Sequence, residues 1–326
     1  MTLSLVTGGA GFVGRHLVRT LKARGERVRV LDLAPAESAG DLEGSVTDPD
    51  AAARAVEGVD TVFHLAGDAQ LWSKDSSVFD RVNRGGTQIM LQAAKRAGVR
   101  RFVHCSSLTT LVGEQTPIGA SQADETRRPA RAEMLGAYPR SKFDAERAVD
   151  AAVADGMDAV IAIPTEPLGP GDAGLTPPTR MIVDFLNGAT PAYIDCTLNF
   201  VPAGSLADGL IAARDRGRKG ERYLLGGENV PMRRLLDALE KISARPMPST
   251  RLPYWVALAA GAVDTGLVAA LTRKPPKAPL TGVRLAGRRV AFSSEKAARD
   301  LGWRAGPFEP ALEETVRWLK QQGLAR

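Results

Sequence analysis

The chain opens with Leu3-Ser4-Leu5-Val6-Thr7-Gly8-Gly9-Ala10-Gly11-Phe12-Val13-Gly14, and this run decides the fold. A short apolar strand leads into three glycines at G-x-x-G-x-x-G spacing, and an apolar pattern of helical period follows. Gly8 suits a tight turn, Gly11 allows the backbone to approach a pyrophosphate, and Gly14 allows the helix to pack against the strand. The run predicts a dinucleotide site, and the alternative is a glycine-rich turn in another α/β protein.

An acidic residue near the end of the second predicted strand supports the dinucleotide interpretation. This strand runs from Arg27 to Leu33 and contains Asp32, 18 residues after Gly14, where a carboxylate can bind the adenosine ribose hydroxyls. A carboxylate repels a 2′-phosphate, and Leu33 offers no cation. We therefore expect NAD(H) to be preferred, with NADP(H) as a second option because Arg15 is close in sequence.

Length and composition favour one large enzyme-like domain with a smaller lobe. The chain has 326 residues, of which 44% are hydrophobic and 25% charged, as is ordinary for a globular protein. The net charge of +6 is dispersed in short clusters without interleaved aromatics, so we expect no nucleic-acid partner, although an anionic membrane surface or substrate stays open. Two cysteines and three histidines lack metal-ligand spacing, so no metal site is expected. A strand at Leu3 argues against a signal peptide and for a cytoplasmic location, with membrane association as a further option.

The alternation of strand and helix patterns predicts an α/β fold: a Rossmann-type doubly wound parallel sheet with a smaller C-terminal substrate-binding lobe. We assign residues 1–165, plus about 194–227, to the NAD-binding domain, and about 166–193 and 228–326 to the lobe. The predicted strands after the first are 27–33, 60–66, 101–106, 159–163, 193–201 and 222–226. The predicted helices after the first are 48–56, 79–98, 139–154, 181–187, 206–214, 231–243 and 310–321.

The second informative segment is Tyr138-Pro139-Arg140-Ser141-Lys142, at the start of a predicted helix. A Tyr four residues before a Lys places both side chains on about the same side of a helix. A free tyrosine has a pKa of about 10, and a nearby ammonium stabilises the phenolate and lowers that pKa. The helix N-terminus acts in the same direction. Ser107 lies at the carboxyl end of the preceding strand, where a doubly wound sheet binds its ligands.

These motifs resemble the extended short-chain dehydrogenase/reductase superfamily, in its NAD-dependent epimerase/dehydratase branch, and the resemblance covers essentially the whole chain. It implies that Tyr138 is the general acid/base, that Lys142 lowers the pKa of Tyr138 and holds the nicotinamide ribose, and that Ser107 orients the substrate oxygen. It also implies contacts to the cofactor from Gly8, Gly11, Phe12, Val13, Gly14, Asp32, Ser45, Val46, Ala66, Gly67, Asn83, Tyr138, Lys142 and Pro164. Ser45 departs from the family pattern, which has an aspartate at the adenine contact.

Within that superfamily the chain is most similar to dihydroflavonol-reductase-like and 3β-hydroxysteroid-dehydrogenase-like proteins, and also to hopanoid-associated epimerases. The segments that carry this likeness are 182–188, 191–193, 226–229 and 300–303. Two departures argue against a nucleotide-sugar enzyme. The sequence has Thr109-Thr110-Leu111-Val112-Gly113 where sugar epimerases have Val-Tyr-Gly, and it has Asn199-Phe200-Val201-Pro202-Ala203-Gly204 where an aspartate motif is expected.

The leading hypothesis is therefore interconversion of a ketone and a secondary alcohol on a bulky apolar substrate, such as a sterol, hopanoid or sphingolipid-like compound. It depends on the apolar stretch from Pro253 to Leu271, followed by the basic segment 273–277, although a buried lobe helix would look similar. Other apolar lobe residues in this argument are Pro177, Pro178, Met181, Ile182, Phe185, Leu186 and Tyr193.

Two other function classes stay open on the sequence alone. One is a nucleotide-sugar epimerase or dehydratase, with Arg180, Arg233 and Arg284 as candidate pyrophosphate ligands. The other is a cofactor-binding regulator without catalysis. Glu166 and Arg180 are candidates to face the substrate without an assigned role. The partner we expect is a small apolar molecule, and both a monomer and a homodimer are compatible with the sequence.

Overall fold

A seven-stranded, fully parallel sheet in the order β11-β7-β5-β4-β1-β2-β3 forms the centre of the computed structural model, which describes residues 2–325. The strands are β1 (Leu3–Thr7), β2 (Arg27–Asp32), β3 (Leu42–Glu43), β4 (Thr61–His64), β5 (Arg101–Cys105), β6 (Ser121–Ala123), β7 (Ala159–Pro164), β8 (Glu166–Leu168), β9 (Ala192–Ile194), β10 (Thr197–Pro202), β11 (Arg222–Leu225), β12 (Glu228–Pro231), β13 (Thr250–Leu252) and β14 (Val290–Phe292). The order reverses between β1 and β4, and this switch point is where doubly wound sheets bind ligands.

Helices cover both faces of the central sheet. The α-helices are α1 (Phe12–Ala23), α2 (Pro49–Ala55), α3 (Ser77–Phe79), α4 (Gly86–Arg96), α5 (Ala137–Ala154), α6 (Pro177–Leu186), α7 (Ala203–Arg216), α8 (Met232–Ser243), α9 (Tyr254–Val263), α10 (Ala269–Thr272), α11 (Leu280–Ala286), α12 (Glu295–Leu301) and α13 (Phe308–Gln321). Two π-helical turns (Asp80–Gly85 and Asp264–Val268) and two 3₁₀ turns (Leu108–Leu111 and Arg131–Glu133) connect them.

Two hydrophobic cores separate the sheet from its helices. On one face, Leu5, Val62 and Phe102 pack under Met90 of α4 and Val149 of α5. On the other face, alternate residues of the same strands pack against α1 and α7, and this core includes Val6, Phe63, Val103, Leu17 and Leu210. Burial on both faces is the reason that these strands are almost uniformly apolar.

The C-terminal lobe has a core of its own. A small sheet in the order β12-β10-β8 packs against α6, α8 and α13, and Phe200 stacks on Phe308 with the ring centroids 5.2 Å apart. The predicted strand over 193–201 is two strands, β9 and β10, which belong to different small sheets. Ile182, Phe185 and Leu186 are buried in this lobe core.

A helical hairpin joins the lobe to the edge of the central sheet. The helix continues without a break from α9 through the π-turn Asp264–Val268 to α10. After the following loop, α11 packs on α9. The approach is close because a Cβ on Gly261 would lie 3.1 Å from the Val283 side chain. Gly136, just before α5, lies against Thr281, so α11 extends over the start of the helix that carries Tyr138.

Candidate active site

The glycine loop after β1 has the geometry of a pyrophosphate site. Gly8 has a φ of +71°, and a Cβ there would lie 2.8 Å from the backbone nitrogen of Ala66. A Cβ on Gly14 would lie 2.0 Å from the carbonyl oxygen of Gly8, so only glycine allows this packing of α1. Gly11 is the N-cap residue of α1, so no side chain caps this helix. Within the described chain, the first turn of α1 contains no acidic residue. The backbone N–H groups there can therefore bind an anion.

Asp32 lies beside this loop at the carboxyl end of β2. Its Oδ2 accepts a hydrogen bond from the Ala10 N–H at 2.9 Å, and its Oδ1 accepts one from the Ala34 N–H at 3.1 Å. The carboxylate is thus fixed against the glycine loop, with lone pairs left for ribose hydroxyls. The neighbouring Leu33 is 75% exposed and apolar, so it brings no cation for a 2′-phosphate.

The structure brings Ser107, Tyr138 and Lys142 together at the carboxyl edge of β5. Ser107 begins the 3₁₀ turn after this strand, and its side chain lies close enough to the Tyr138 hydroxyl to oppose the rise in the pKa of that phenol. Lys142 lies one helical turn after Tyr138 and donates from Nζ to the carbonyl oxygen of Cys105 at 2.7 Å. All three side chains are buried, with residual exposures of 7–8%.

The predicted lowering of the Tyr138 pKa is wrong for this structure. Burial raises the pKa of the phenol to about 12, and only the hydrogen bond with Ser107 opposes that rise. Burial also lowers the pKa of Lys142, whose ammonium binds a backbone carbonyl. The sequence argument counted the charge of the lysine and omitted the desolvation of the phenolate, which is the larger effect here.

A buried ion pair behind the site was missed in the sequence. Glu146 follows Lys142 by one turn of α5 and pairs with Arg222 of β11 at 2.9 Å, with both side chains 3% exposed. Its Oε1 accepts from the Ser106 hydroxyl and from the Thr110 hydroxyl, the latter at 2.8 Å. The pair thus connects α5 to both sides of Ser107. The sequence feature that could have indicated this ion pair is the four-residue spacing from Tyr138 to Lys142 to Glu146, which places all three on one side of α5.

Asn83 connects the loop after β4 to the catalytic helix. Its amide donates to the Ser141 hydroxyl at 2.9 Å and to the Asp68 carbonyl at 3.0 Å, while its oxygen accepts from the Asp68 N–H at 2.8 Å. A Cβ on Gly67 would lie 2.8 Å from the Asn83 oxygen and 3.8 Å from Lys142 Nζ. Gly67 therefore lies within the predicted site, and Asn83 fixes the loop that contains it.

The other predicted cofactor residues lie along the same edge of the sheet. Ala66 follows β4 and donates its N–H to the Thr7 hydroxyl at 3.2 Å. The Ser45 hydroxyl is bonded to that of Thr47 at 2.8 Å, and Val46 is buried beside α4. The remaining members are Phe12 and Val13 in the first turn of α1 and Pro164 at the end of β7.

Glu166 and Arg180 have different surroundings. Glu166 lies in β8, two residues after the end of β7, and accepts from the Asn199 N–H at 2.6 Å. Burial raises the pKa of its carboxyl to about 8. Arg180 is exposed on α6. Of these two candidates, Glu166 is the one with an unusual environment.

His64 and His104 lie side by side under the site, on β4 and β5. Their rings are stacked at 5.8 Å, and burial lowers the pKa of His64 to about 3 and that of His104 well below its usual value. His64 bonds to Thr7 and Thr87, whereas neither ring nitrogen of His104 has a hydrogen-bond partner within residues 2–325. Both residues are neutral parts of the core, as the sequence indicated.

A parallel sheet with this strand order, a glycine loop at its switch point and a carboxylate at the end of β2 define a Rossmann-type NAD-dependent oxidoreductase. The chain belongs to the NAD-dependent epimerase/dehydratase family, whose model matches residues 4–226. The predicted family, fold class and cofactor are thereby confirmed.

Relatives of known name cover the whole chain. A putative dihydroflavonol 4-reductase of Synechocystis is 33% identical over 98% of this chain and 95% of that protein. Sterol demethylase protein B of Methylococcus capsulatus is 32% identical over 98% of this chain and 99% of its own length. The crystal structure of gox2253 has a TM-score of 0.85 and 32% identity, with 100% of both chains covered.

Proposed function

We propose that the protein is a short-chain dehydrogenase/reductase that interconverts a ketone and a secondary alcohol on a bulky apolar substrate. The observation that carries this proposal is the joint burial of Ser107, Tyr138 and Lys142 beneath an apolar wall. Bound NADH supplies the hydride for reduction. The Tyr138 hydroxyl donates the proton that the new alkoxide oxygen takes up, and it accepts that proton in the reverse direction.

Ser107 and Lys142 support this proton transfer. The Ser107 hydroxyl lies near the Tyr138 hydroxyl, so an oxygen of the substrate placed there can meet both hydroxyl groups. Lys142 Nζ lies between the Cys105 carbonyl and Gly67, where it can bind the ribose hydroxyls next to the nicotinamide.

The wall above Tyr138 is apolar. Phe79 meets the Tyr138 ring edge-on with the centroids 6.0 Å apart, and because Phe79 is itself buried it supports the wall without facing the substrate. Leu71, in the loop after β4, lies 3.1 Å from the position of a Cβ on Gly282 in α11. A surface of this kind favours an aliphatic or ring-fused body, with the few polar groups at the reacting end.

The cations named for a sugar pyrophosphate are poorly placed for that role. Arg284 forms an ion pair with Glu114, and Arg180 and Arg233 are exposed. The name of the sterol demethylase relative agrees with a sterol-like substrate. Ile182, Phe185 and Leu186 add nothing to this argument, because they are buried in the lobe core.

A nucleotide-sugar epimerase or dehydratase is the second candidate, since the family model covers such enzymes. The two candidates differ in their net redox change. A ketoreductase consumes one NADH for each ketone reduced, whereas an epimerase returns the hydride to its product and leaves the NADH concentration unchanged.

The test offers NADH with a 3-keto sterol or a keto sphingoid base in detergent micelles. Separately it offers NAD⁺ with UDP-glucose or dTDP-glucose, because an epimerase or dehydratase begins by oxidising the sugar. We expect NADH absorbance to fall only with a keto lipid. Tyr138→Phe should reduce that rate by about 10²–10⁴-fold, because the proton donor is lost.

Tyr223→Phe is the matched control, because its phenol hydroxyl accepts from the Arg218 N–H in the core on the other face of the sheet, away from the proposed site. This variant should keep the rate. Isomerisation or dehydration of a sugar nucleotide without NADH consumption would contradict the proposal, and so would an active Tyr138→Phe variant.

A further inference from the structure

We propose that one face of the α9–α10 helical segment docks on an anionic lipid bilayer. This docking face consists of exposed apolar side chains on the outer side of the segment. Trp255 is 71% exposed, Leu267 is 57% exposed and Leu271 is 76% exposed, so large side chains that usually lie in a core are in water here. The full set is Trp255, Ala259, Val263, Leu267, Val268 and Leu271.

Helical spacing places these residues along one side of the segment. Positions 255, 259, 263, 267 and 271 recur every four residues, so they form a continuous stripe. The opposite side is attached to the protein. Gly261 packs on Val283, the Asp264 carboxylate accepts from the Ala278 N–H at 2.9 Å, and the Thr265 hydroxyl accepts from the Leu280 N–H at 2.9 Å. The stripe therefore belongs to a helix with a fixed orientation.

The charges beside the stripe indicate that the docking face binds an anionic lipid surface. Between residues 251 and 277 the sequence contains one acid, Asp264, and its carboxylate is bound on the inner side. Arg273, Lys274 and Lys277 follow the stripe directly, and all three are exposed. Apolar side chains next to cations match the boundary between acyl chains and anionic headgroups. Among the described residues, no helix is both long and apolar enough to cross a membrane, so the contact we infer is peripheral.

The docking face is connected to the site through one helix. α9 packs on α11, and α11 lies against Gly136 and Leu71 at the start of the catalytic helix and in the loop after β4. A bilayer at the docking face therefore lies one helix away from the wall above Tyr138. The inference does not depend on which substrate the enzyme takes, because docking is a property of this surface alone.

The experiment is sedimentation of the whole protein with sucrose-loaded vesicles, without substrate. One set of vesicles is phosphatidylcholine, and the other contains phosphatidylglycerol as well. We expect binding to the anionic vesicles that weakens with added salt, because exposed charges are screened. The double variant Leu267→Glu/Leu271→Glu should reduce the partition coefficient at least about tenfold, since it places two charges in the apolar stripe.

The cations are tested with a charge-matched pair of triple variants. Arg273→Ala/Lys274→Ala/Lys277→Ala should lower binding to anionic vesicles about tenfold or more. The control triple replaces Arg96, Arg317 and Lys320 with Ala, which removes the same charge from exposed positions elsewhere. It should bind nearly as well as the parent. NADH fluorescence checks that each variant retains its cofactor site.

Three results would overturn the inference. They are failure to sediment with either vesicle, equal losses in the two triple variants, and a dimer in sedimentation equilibrium that Leu267→Glu/Leu271→Glu dissociates. The last result would assign the stripe to a second copy of the chain. None of them bears on the keto-lipid assay, so the two proposals can fail separately.

Discussion

At the scale of single residues, Asp32 has a structural task that the hydrogen bonds show and a proposed task in cofactor selection. Its two carboxylate oxygens accept from the N–H groups of Ala10 and Ala34, so it holds the glycine loop in place. We propose that the same negative charge binds the ribose hydroxyls of the cofactor. A change in selectivity must therefore be separated from a change in loop geometry.

Asp32→Asn makes this separation, because an amide oxygen can still accept from one backbone N–H. We expect the preference for NADH over NADPH, measured as the ratio of Kd values by fluorescence titration, to fall about tenfold as the repulsion of the 2′-phosphate is lost. Asp41→Asn is the control. Asp41 also accepts from two backbone N–H groups, those of Val30 and Ser38, and lies outside the predicted site. An unchanged ratio in Asp32→Asn would contradict the assigned role.

The residues of the site were predictable to the extent that their motifs are local. Gly8, Gly14 and Asp32 lie in one βαβ unit, and Tyr138 and Lys142 lie on one helix turn. The pKa of Tyr138 was not predictable, because it depends on how completely the phenol is buried. Part of that burial comes from Phe79, which is distant in sequence.

At the scale of elements, α5 connects Tyr138 to the far edge of the sheet. Tyr138, Lys142 and Glu146 follow one another on its inner side, and Glu146 reaches Arg222 of β11. Arg222 also donates to the carbonyl oxygens of Glu125 and Arg127, at 2.9 and 3.0 Å, in the segment that leads to Tyr138. This ion pair therefore holds the helix, the loop before it and the Ser107 turn in one arrangement.

Glu146→Gln should lower the free energy of unfolding by about 3 kcal/mol, because the Arg222 charge stays buried without its counter-charge. The double variant Glu146→Gln/Arg222→Met should recover part of that loss, since no buried charge is left. Urea unfolding of the parent, of the single variants Glu146→Gln and Arg222→Met, and of the double variant gives the coupling energy.

Arg147→Gln is the control on the same helix. Arg147 pairs with Asp150 at a partly exposed position, and we expect a cost below about 1 kcal/mol. Equal losses in the free energy of unfolding for Glu146→Gln and Arg147→Gln would show that the buried ion pair stabilises the fold no more than an exposed one.

The elements that escaped the sequence are short or formed by distant pairing. β6 and β14 have three residues each, and Ser121 pairs with Val290 across most of the lobe sequence. The π-turn Asp80–Gly85 was included in a single helix over 79–98, because its apolar pattern continues without a break. Long amphipathic helices such as α13 were predicted to within two residues, since their pattern covers several turns.

At the scale of the whole molecule, buried titratable groups act on stability in opposite directions. His64 has a pKa of about 3 in the folded chain against 6.5 normally. The unfolded chain therefore takes up a proton more readily, and the folded state loses stability as the pH falls below 6.5. Glu166 has a pKa of about 8 against 4.5, so the folded chain keeps a proton that the unfolded chain releases. The stability that protonated Glu166 gives the folded state is therefore complete below pH 4.5 and is lost as the pH rises to 8.

Between pH 6.5 and 8, His64 no longer changes the stability of the folded state, whereas the release of the Glu166 proton continues to lower it. We therefore expect the melting temperature of the parent protein to fall by a few degrees across this range, with a smaller part from Glu125, whose pKa is also raised by burial. Glu166→Gln should reduce that fall, because the amide does not ionise and its oxygen still accepts from the Asn199 N–H. Glu313→Gln, which changes an exposed carboxylate, should leave the slope as it is. The measurement is thermal unfolding followed by circular dichroism at several pH values, and parallel slopes in the parent and Glu166→Gln would mean that Glu166 is ionised in the folded enzyme.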